Sequence, residues 1–317
     1  MPTPLPLEER SASSASPITH TRYLAIGVPD YHKAVDFYGS TWGLRPVVDD
    51  TGVTFFSAEG SEEHFVLRVR AAEQRRLDLM ALAVPTPAEV DRLAESLARA
   101  GVRLDLTPAS LTAPGGGYGF RFFDPDGRLI EISCDVGTRE ARVIEEREDI
   151  PSKLSHVVFN TANLARTIAF YERHLGFRIS DWVEDRMVFM RCRRDHHTLG
   201  FAAAAHASLN HVSFEMRGLE EYMRGTGRLT RAGFPVLWGP GRHGPGDNTF
   251  SYFRSPDGNV VEYSTALLQV DESTWVPCRW EGDGEEADQW GTAGPIDEFI
   301  PVAVGDPDPG LWTPPPF

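Results

Sequence analysis

At 317 residues, with 41% hydrophobic and 24% charged side chains, the chain has a globular composition and room for one large domain or two ordinary ones. A formal charge of −15 would repel a phosphate backbone, which argues against a nucleic-acid partner, and no apolar run reaches the length of a membrane-spanning helix. Three scattered cysteines, Cys134, Cys192 and Cys278, form no CxxC pair; this suits a reducing, cytoplasmic setting and argues against a disulfide scaffold or a thiolate zinc site.

In chain order, residues 1–17 are rich in Ser, Pro and Ala and read as a disordered leader, with Glu8, Glu9 and Arg10 where a signal peptide would carry its apolar run. An amphipathic helix around Ala34–Tyr38 ends at Gly43, and Pro87–Ala100 predicts another, with Val90, Leu93, Leu97 and Ala100 on one face and Gly101 as its stop. Gly115–Gly117 is a turn, since it lacks the lysine and following helix of a phosphate loop. Phe122–Ser133 reads as strand, Pro-Asp-Gly turn and strand, and it closes a first half at 18–138. A charged linker, 139–152, leads to the second half at 153–268. There the helix Thr167–Tyr171 runs to Gly176, while the helix expected over Leu219–Ala232 is weakened by Gly225 and Gly227.

The halves repeat each other. Phe122–Ser133 recurs as Phe253–Ser264, and the helix-to-glycine openings match as well. Each half divides again, giving an α+β chain of four βαβββ units in two similar domains. In the second half, His156 and His211 each precede an alternating apolar run, and Glu262 lies in the repeated final strand. The intervals between them, 55 and 51 residues, are each about one unit, so equivalent strands would aim all three side chains into one cup. Two imidazoles and a carboxylate form the facial triad suited to Fe(II) that activates oxygen, with Mn(II) also compatible. The first half is the control: repeat register sets Tyr23 against His156 and Leu79 against His211, and only Glu131 is retained, which predicts no metal there. His64 stands near the repeat equivalent of His196 and His197.

Gly239-Pro240-Gly241-Arg242-His243-Gly244 with Asn248, Tyr252, Pro256-Asp257-Gly258 and Glu262, and Cys192–Leu199 upstream, resemble the type I extradiol dioxygenases of the vicinal oxygen chelate (glyoxalase-like) superfamily, the homoprotocatechuate and 2,3-dihydroxybiphenyl enzymes among them. Ser251 and Ser255 depart from the family signature. The resemblance implies a homo-oligomeric enzyme that takes a small aromatic diol and O2. It also implies His197 as acid–base residue, and His243 and Tyr252 as hydrogen-bonding partners of the substrate. His196 is the alternative to His197; on a strand the two would point to opposite faces. Asn248 is carried over as substrate-binding, and Arg242 either pairs with an anionic substrate group or faces water. The aromatic tail, 269–317, is expected to cover the active site or a subunit contact. A glyoxalase-type isomerase and a drug-sequestering resistance protein would share the fold.

Overall fold

The computed structural model describes residues 2–6, 15–292 and 294–313. After a short strand β1 (Thr3–Pro4), the first half contains β2 (His20–Val28), β3 (Arg45–Asp50), β4 (Val53–Ser57), β5 (Leu67–Ala71), β6 (Arg76–Ala83), β7 (Leu104–Ser110), β8 (Tyr118–Phe123) and β9 (Leu129–Cys134). The second contains β10 (Pro151–Thr161), β11 (Arg178–Val183), β12 (Met187–Arg191), β13 (Leu199–Ala203), β14 (Ser208–Met216), β15 (Val236–Arg242), β16 (Thr249–Arg254) and β17 (Val260–Thr265), and the tail adds β18 (Cys278–Trp280). The helices are α1 (Tyr31–Asp36), α2 (Pro87–Arg99), α3 (Leu164–Leu175), α4 (Leu219–Arg231), α5 (Gly284–Ala287) and α6 (Phe299–Val304). None among the described residues is long and apolar enough to cross a membrane.

Each half folds as two βαβββ units whose first strands meet in the middle of one sheet. The first sheet runs β3-β4-β5-β2-β6-β9-β8-β7, and the second runs β11-β12-β13-β10-β14-β17-β16-β15 with β18 and β1 added at one edge. The central pairs β2–β6 and β10–β14 are antiparallel, while β2–β5, β6–β9, β10–β13 and β14–β17 are parallel. This is the mixed α+β fold expected from the repeat.

Alternation along the strands separates two faces. Val157 and Phe159 of β10, Val212 and Phe214 of β14, and Val261 and Tyr263 of β17 face a core that continues into the first half. Trp42 stacks on Tyr263 at 3.9 Å, and Phe37 packs on Phe234 at 4.9 Å, so aromatic side chains weld the halves together. The opposite face of the second sheet is left to form a cup.

Local chemistry explains the helices. Thr86 caps α2 by accepting from Glu89 N at 3.3 Å, with Pro87 at the first position. Asn163 caps α3, and Gly176 ends it at φ 67°. The expected weakness of α4 does not appear: it runs 13 residues through both glycines. A Cβ on Gly225 would meet Met216 Cε at 2.9 Å and Tyr263 Cε2 at 3.0 Å, so the glycine lets the helix sit close to the sheet.

Of the leader, residues 1 and 7–14 lie outside the described residues. The rest is ordered, contrary to the expectation of disorder. Thr3–Pro4 pairs with β18, Leu5 is buried, and Ser16 Oγ donates to Leu175 O at 2.8 Å. The tail strand β18 offers an open edge, and a few extended residues suffice to pair with it.

Candidate active site

Strand register brings the candidate ligands together. His156 pairs with Ser213, Ser213 with Glu262, and Glu262 with Tyr252, a single row across β10, β14, β17 and β16. Side chains in such a row share a face, and His211, two residues from Ser213, shares it too. Ligand atoms of His156, His211 and Glu262 lie within 4.8 Å of one another, and all three residues are buried.

Their electrostatics suit a cation. Loss of hydration holds His156 and His211 down to a pKa of about 3, so both rings are neutral. Burial raises the Glu262 carboxyl above its ordinary value. Glu262 Oε2 approaches His156 Nε2 at 3.0 Å and His211 Nε2 at 3.5 Å, yet neither carboxylate oxygen accepts a hydrogen bond in proper geometry. His211 Nδ1–H donates to Asn210 Oδ1 at 2.8 Å, and His156 Nδ1 lies 3.1 Å from Ser155 Oγ. Two neutral imidazoles and a buried carboxylate that accepts no well-formed hydrogen bond thus converge. A divalent metal ion fits this set.

His197 borders the same cavity, its ring 4.2 Å from that of His156. Its tautomer can be read from a chain of partners. The Asp181 carboxylate can only accept, so His196 Nε2–H donates to Oδ2 at 3.1 Å. His196 Nδ1 then accepts from His197 Nδ1–H at 3.0 Å, which leaves His197 Nε2 with its lone pair. Both rings are buried and bonded to each other, unlike the opposed faces expected of a strand, because the pair precedes β13 in a bend. Only His197 borders the cavity. His243 Nδ1–H donates to Ala287 O at 3.0 Å, so its Nε2 accepts the Tyr252 hydroxyl proton at 3.0 Å.

The cavity has a volume of about 220 Å³. Phe189, Trp238, Met187 and Val183 wall it, and the tail closes it with Gly282, Ala287, Phe299, Ile300, Ala303 and Val304. Two expected substrate residues are not brought there. The Arg242 guanidinium is taken by Asp247, at 2.9 and 2.7 Å, and Asn248 is buried beside Thr249 and Ser264; neither borders the cavity.

The first half repeats the row as Tyr23, Ala81, Glu131 and Arg121. Arg121 Nε donates to Glu131 Oε2 at 2.9 Å and the Tyr23 hydroxyl to Oε1 at 3.3 Å, so an internal cation sits against the carboxylate. Tyr23, Ala25, Phe65, Leu79 and Ala81 fill the cup, leaving about 10 Å³ beside His64.

Sequence reasoning missed Asp181, Asn160 and Asn210. Nothing in the repeat marks them, since each acts through a neighbour rather than from a matched strand position.

The glyoxalase/bleomycin resistance protein/dioxygenase superfamily matches residues 18–132 and 153–263. A solved structure described as a Mn(II)-bound glyoxalase from Novosphingobium aromaticivorans is 40% identical, with a TM-score of 0.88 over 94% of this chain and 98% of that one. Metapyrocatechase 2 of Cupriavidus necator is 28% identical over 61% of this chain and 68% of its own length. A manganese-dependent 2,3-dihydroxybiphenyl 1,2-dioxygenase of Geobacillus genomosp. 3 is 24% identical over 82% of this chain and 89% of its own. The chain belongs to the glyoxalase/bleomycin resistance protein/dioxygenase superfamily.

Proposed function

We infer that the chain opens a catechol-type ring beside its two hydroxyls, at a mononuclear Fe(II) held by His156, His211 and Glu262, with Mn(II) as the alternative ion. The carrying observation is the convergence of two neutral imidazoles and an unpartnered buried carboxylate on the floor of an apolar cavity. The donor set favours Fe(II) for oxygen chemistry, while two relatives are named for manganese. Bound there, the metal would supply Lewis-acid binding of the vicinal oxygens and electron delivery to O2.

The protein residues manage protons and position. His197, with its free Nε2, takes a proton from the diol and returns it when the O–O bond breaks. Tyr252 turns its hydroxyl proton from His243 Nε2 to a bound oxygen and stabilises negative charge there, while His243, held by Ala287 O, positions that hydroxyl. A cavity of about 150 Å³ already accepts benzene, so ~220 Å³ suits one substituted ring. Arg242 is committed to Asp247, and the cation that does border the cavity, Arg186, is paired with Glu184 at 2.6 Å. The substrate is therefore a neutral diol with an apolar substituent; a hydroquinone or trihydroxylated ring fits the same chemistry.

Anaerobically reconstituted Fe(II) or Mn(II) protein, mixed in air with alkyl- and arylcatechols, should consume O2 and give a yellow ring-opened product. His211→Ala should lose both metal and product. His197→Gln should keep the metal and lower kcat about 10²–10⁴-fold. The name of the 40% identical structure favours a second reading, an isomerase, which predicts hemithioacetal turnover without O2 uptake.

A further inference from the structure

We propose that Asn210 and Asn160 are positioning residues that fix the metal-binding tautomer of His211 and tie that ligand to the C-terminal helix α6, so that metal binding and seating of α6 support each other. The inference rests on His211 being a ligand.

The direction of every bond in the chain follows from its far end. The main-chain carbonyls of Ala303 and Val304 can only accept, so Asn160 must turn Nδ2 toward them, at 2.8 and 3.2 Å. Asn160 Oδ1 is then left to accept from Asn210 Nδ2, at 2.8 Å. Asn210 must in turn present Oδ1 to His211, and an amide oxygen can be met only by a protonated Nδ1, at 2.8 Å. His211 is thereby left with an unprotonated Nε2, the atom that lies 3.5 Å from Glu262 Oε2.

Three features make the chain firm. Asn160 is buried to 1% exposure, and its own carbonyl accepts from Arg128 Nη2 of the first half. Ser208 Oγ accepts from Asn160 Nδ2 at 2.8 Å and donates to Val304 O at 2.6 Å, a second tie to the end of α6. The strand pairing slips between Val158 opposite His211 and Phe159 opposite Leu209, which leaves Asn210 as the extra residue beside its neighbour's ring.

Groups that orient a ligand imidazole typically change metal affinity about 10–100-fold when removed. Two sites that share one network must also influence each other equally in both directions. Mn(II) alone is the probe, added to metal-free full-length protein. Asn210→Leu should bind it about 10–100-fold more weakly than wild type, whereas Asn210→Asp, which still accepts from Nδ1–H, should recover most of the affinity. In wild type, Mn(II) should slow amide hydrogen exchange across residues 299–304, and in Asn160→Leu this slowing should disappear. The ¹⁵N spectrum of the wild-type imidazoles, which needs no variant, should show metal-free His211 protonated at Nδ1. Equal Mn(II) affinity in Asn210→Leu and wild type, or an Nε2–H tautomer, would overturn the positioning role. Undiminished slowing in Asn160→Leu would overturn the link to α6. Failure of the wild type itself to bind Mn(II) or Fe(II) would instead remove the ligand assignment beneath both.

Discussion

His156, His197 and His211 are buried around one cavity and His243 partly so, and loss of hydration holds every one of these imidazoles below its ordinary pKa. An unfolded chain takes up a proton on each below about pH 6.5, whereas the folded chain keeps His156 and His211 neutral down to about pH 3 and holds His197 and His243 below their ordinary range. The unfolded state therefore binds more protons, and stability rises with pH across this window. Read downward, stability is full above about pH 6.5 and falls below it, by up to about 1.4 kcal/mol per pH unit for each imidazole that stays neutral in the fold, toward about pH 3 for His156 and His211. Urea midpoints of the metal-free protein should be level above pH 7 and drop clearly between pH 6 and 5. A midpoint unchanged down to pH 5 would mean that these rings are not neutral in the fold. The proposed ligands were legible in the sequence because His156, His211 and Glu262 occupy matched repeat positions while Tyr23 and Leu79 do not. Asn210 was not, because strict alternation assigns it to the face opposite His211, and only a slipped strand pair brings the two together.

At the scale of single elements, α4 separates local propensity from packing. Its two glycines look alike in the sequence, and each should cost the helix about 1 kcal/mol relative to alanine. They sit in different surroundings. Gly225 is buried against Met216 and Tyr263, whereas a Cβ on Gly227 would meet only the mobile tip of Arg231, at 3.1 Å. Gly225→Ala should therefore destabilise the protein by about 1–3 kcal/mol through overpacking, and Gly227→Ala should stabilise it by about 0.5–1 kcal/mol. Thermal unfolding of the two variants would show shifts of opposite sign; shifts of the same sign would refute the packing account. Helix α2 was plain from its apolar face and the glycine after it, and α3 from the repeated run to Gly176. The short strands β1 and β18 carry no such signal, since their pairing comes from an open sheet edge far along the chain.

Across the whole molecule, the two halves solve one problem differently. Each buries a carboxylate at the same place in its sheet, Glu131 in the first and Glu262 in the second. Arg121 answers the first from within the chain, at 2.9 Å. Glu262 meets two neutral imidazoles and, among the described residues, no arginine or lysine. Metal binding should accordingly saturate at one ion per chain, and a second tight ion would contradict the filled first cup. Arg121→Leu should destabilise the protein by roughly 3 kcal/mol, the low end for a broken buried pair because Arg121 is partly exposed. Added Mn(II) should not repair that loss, and calorimetry with and without the ion would test this. The internal arginine also bears on timing. Residues 18–138 leave the ribosome before 153–268, so the earlier half brings its own counter-charge, and the later half must find one in its surroundings. Metal scarcity would then stall the maturation of the later half and spare that of the earlier one. Protease footprints of ribosome-bound chains should be blind to chelator until Glu262 has emerged.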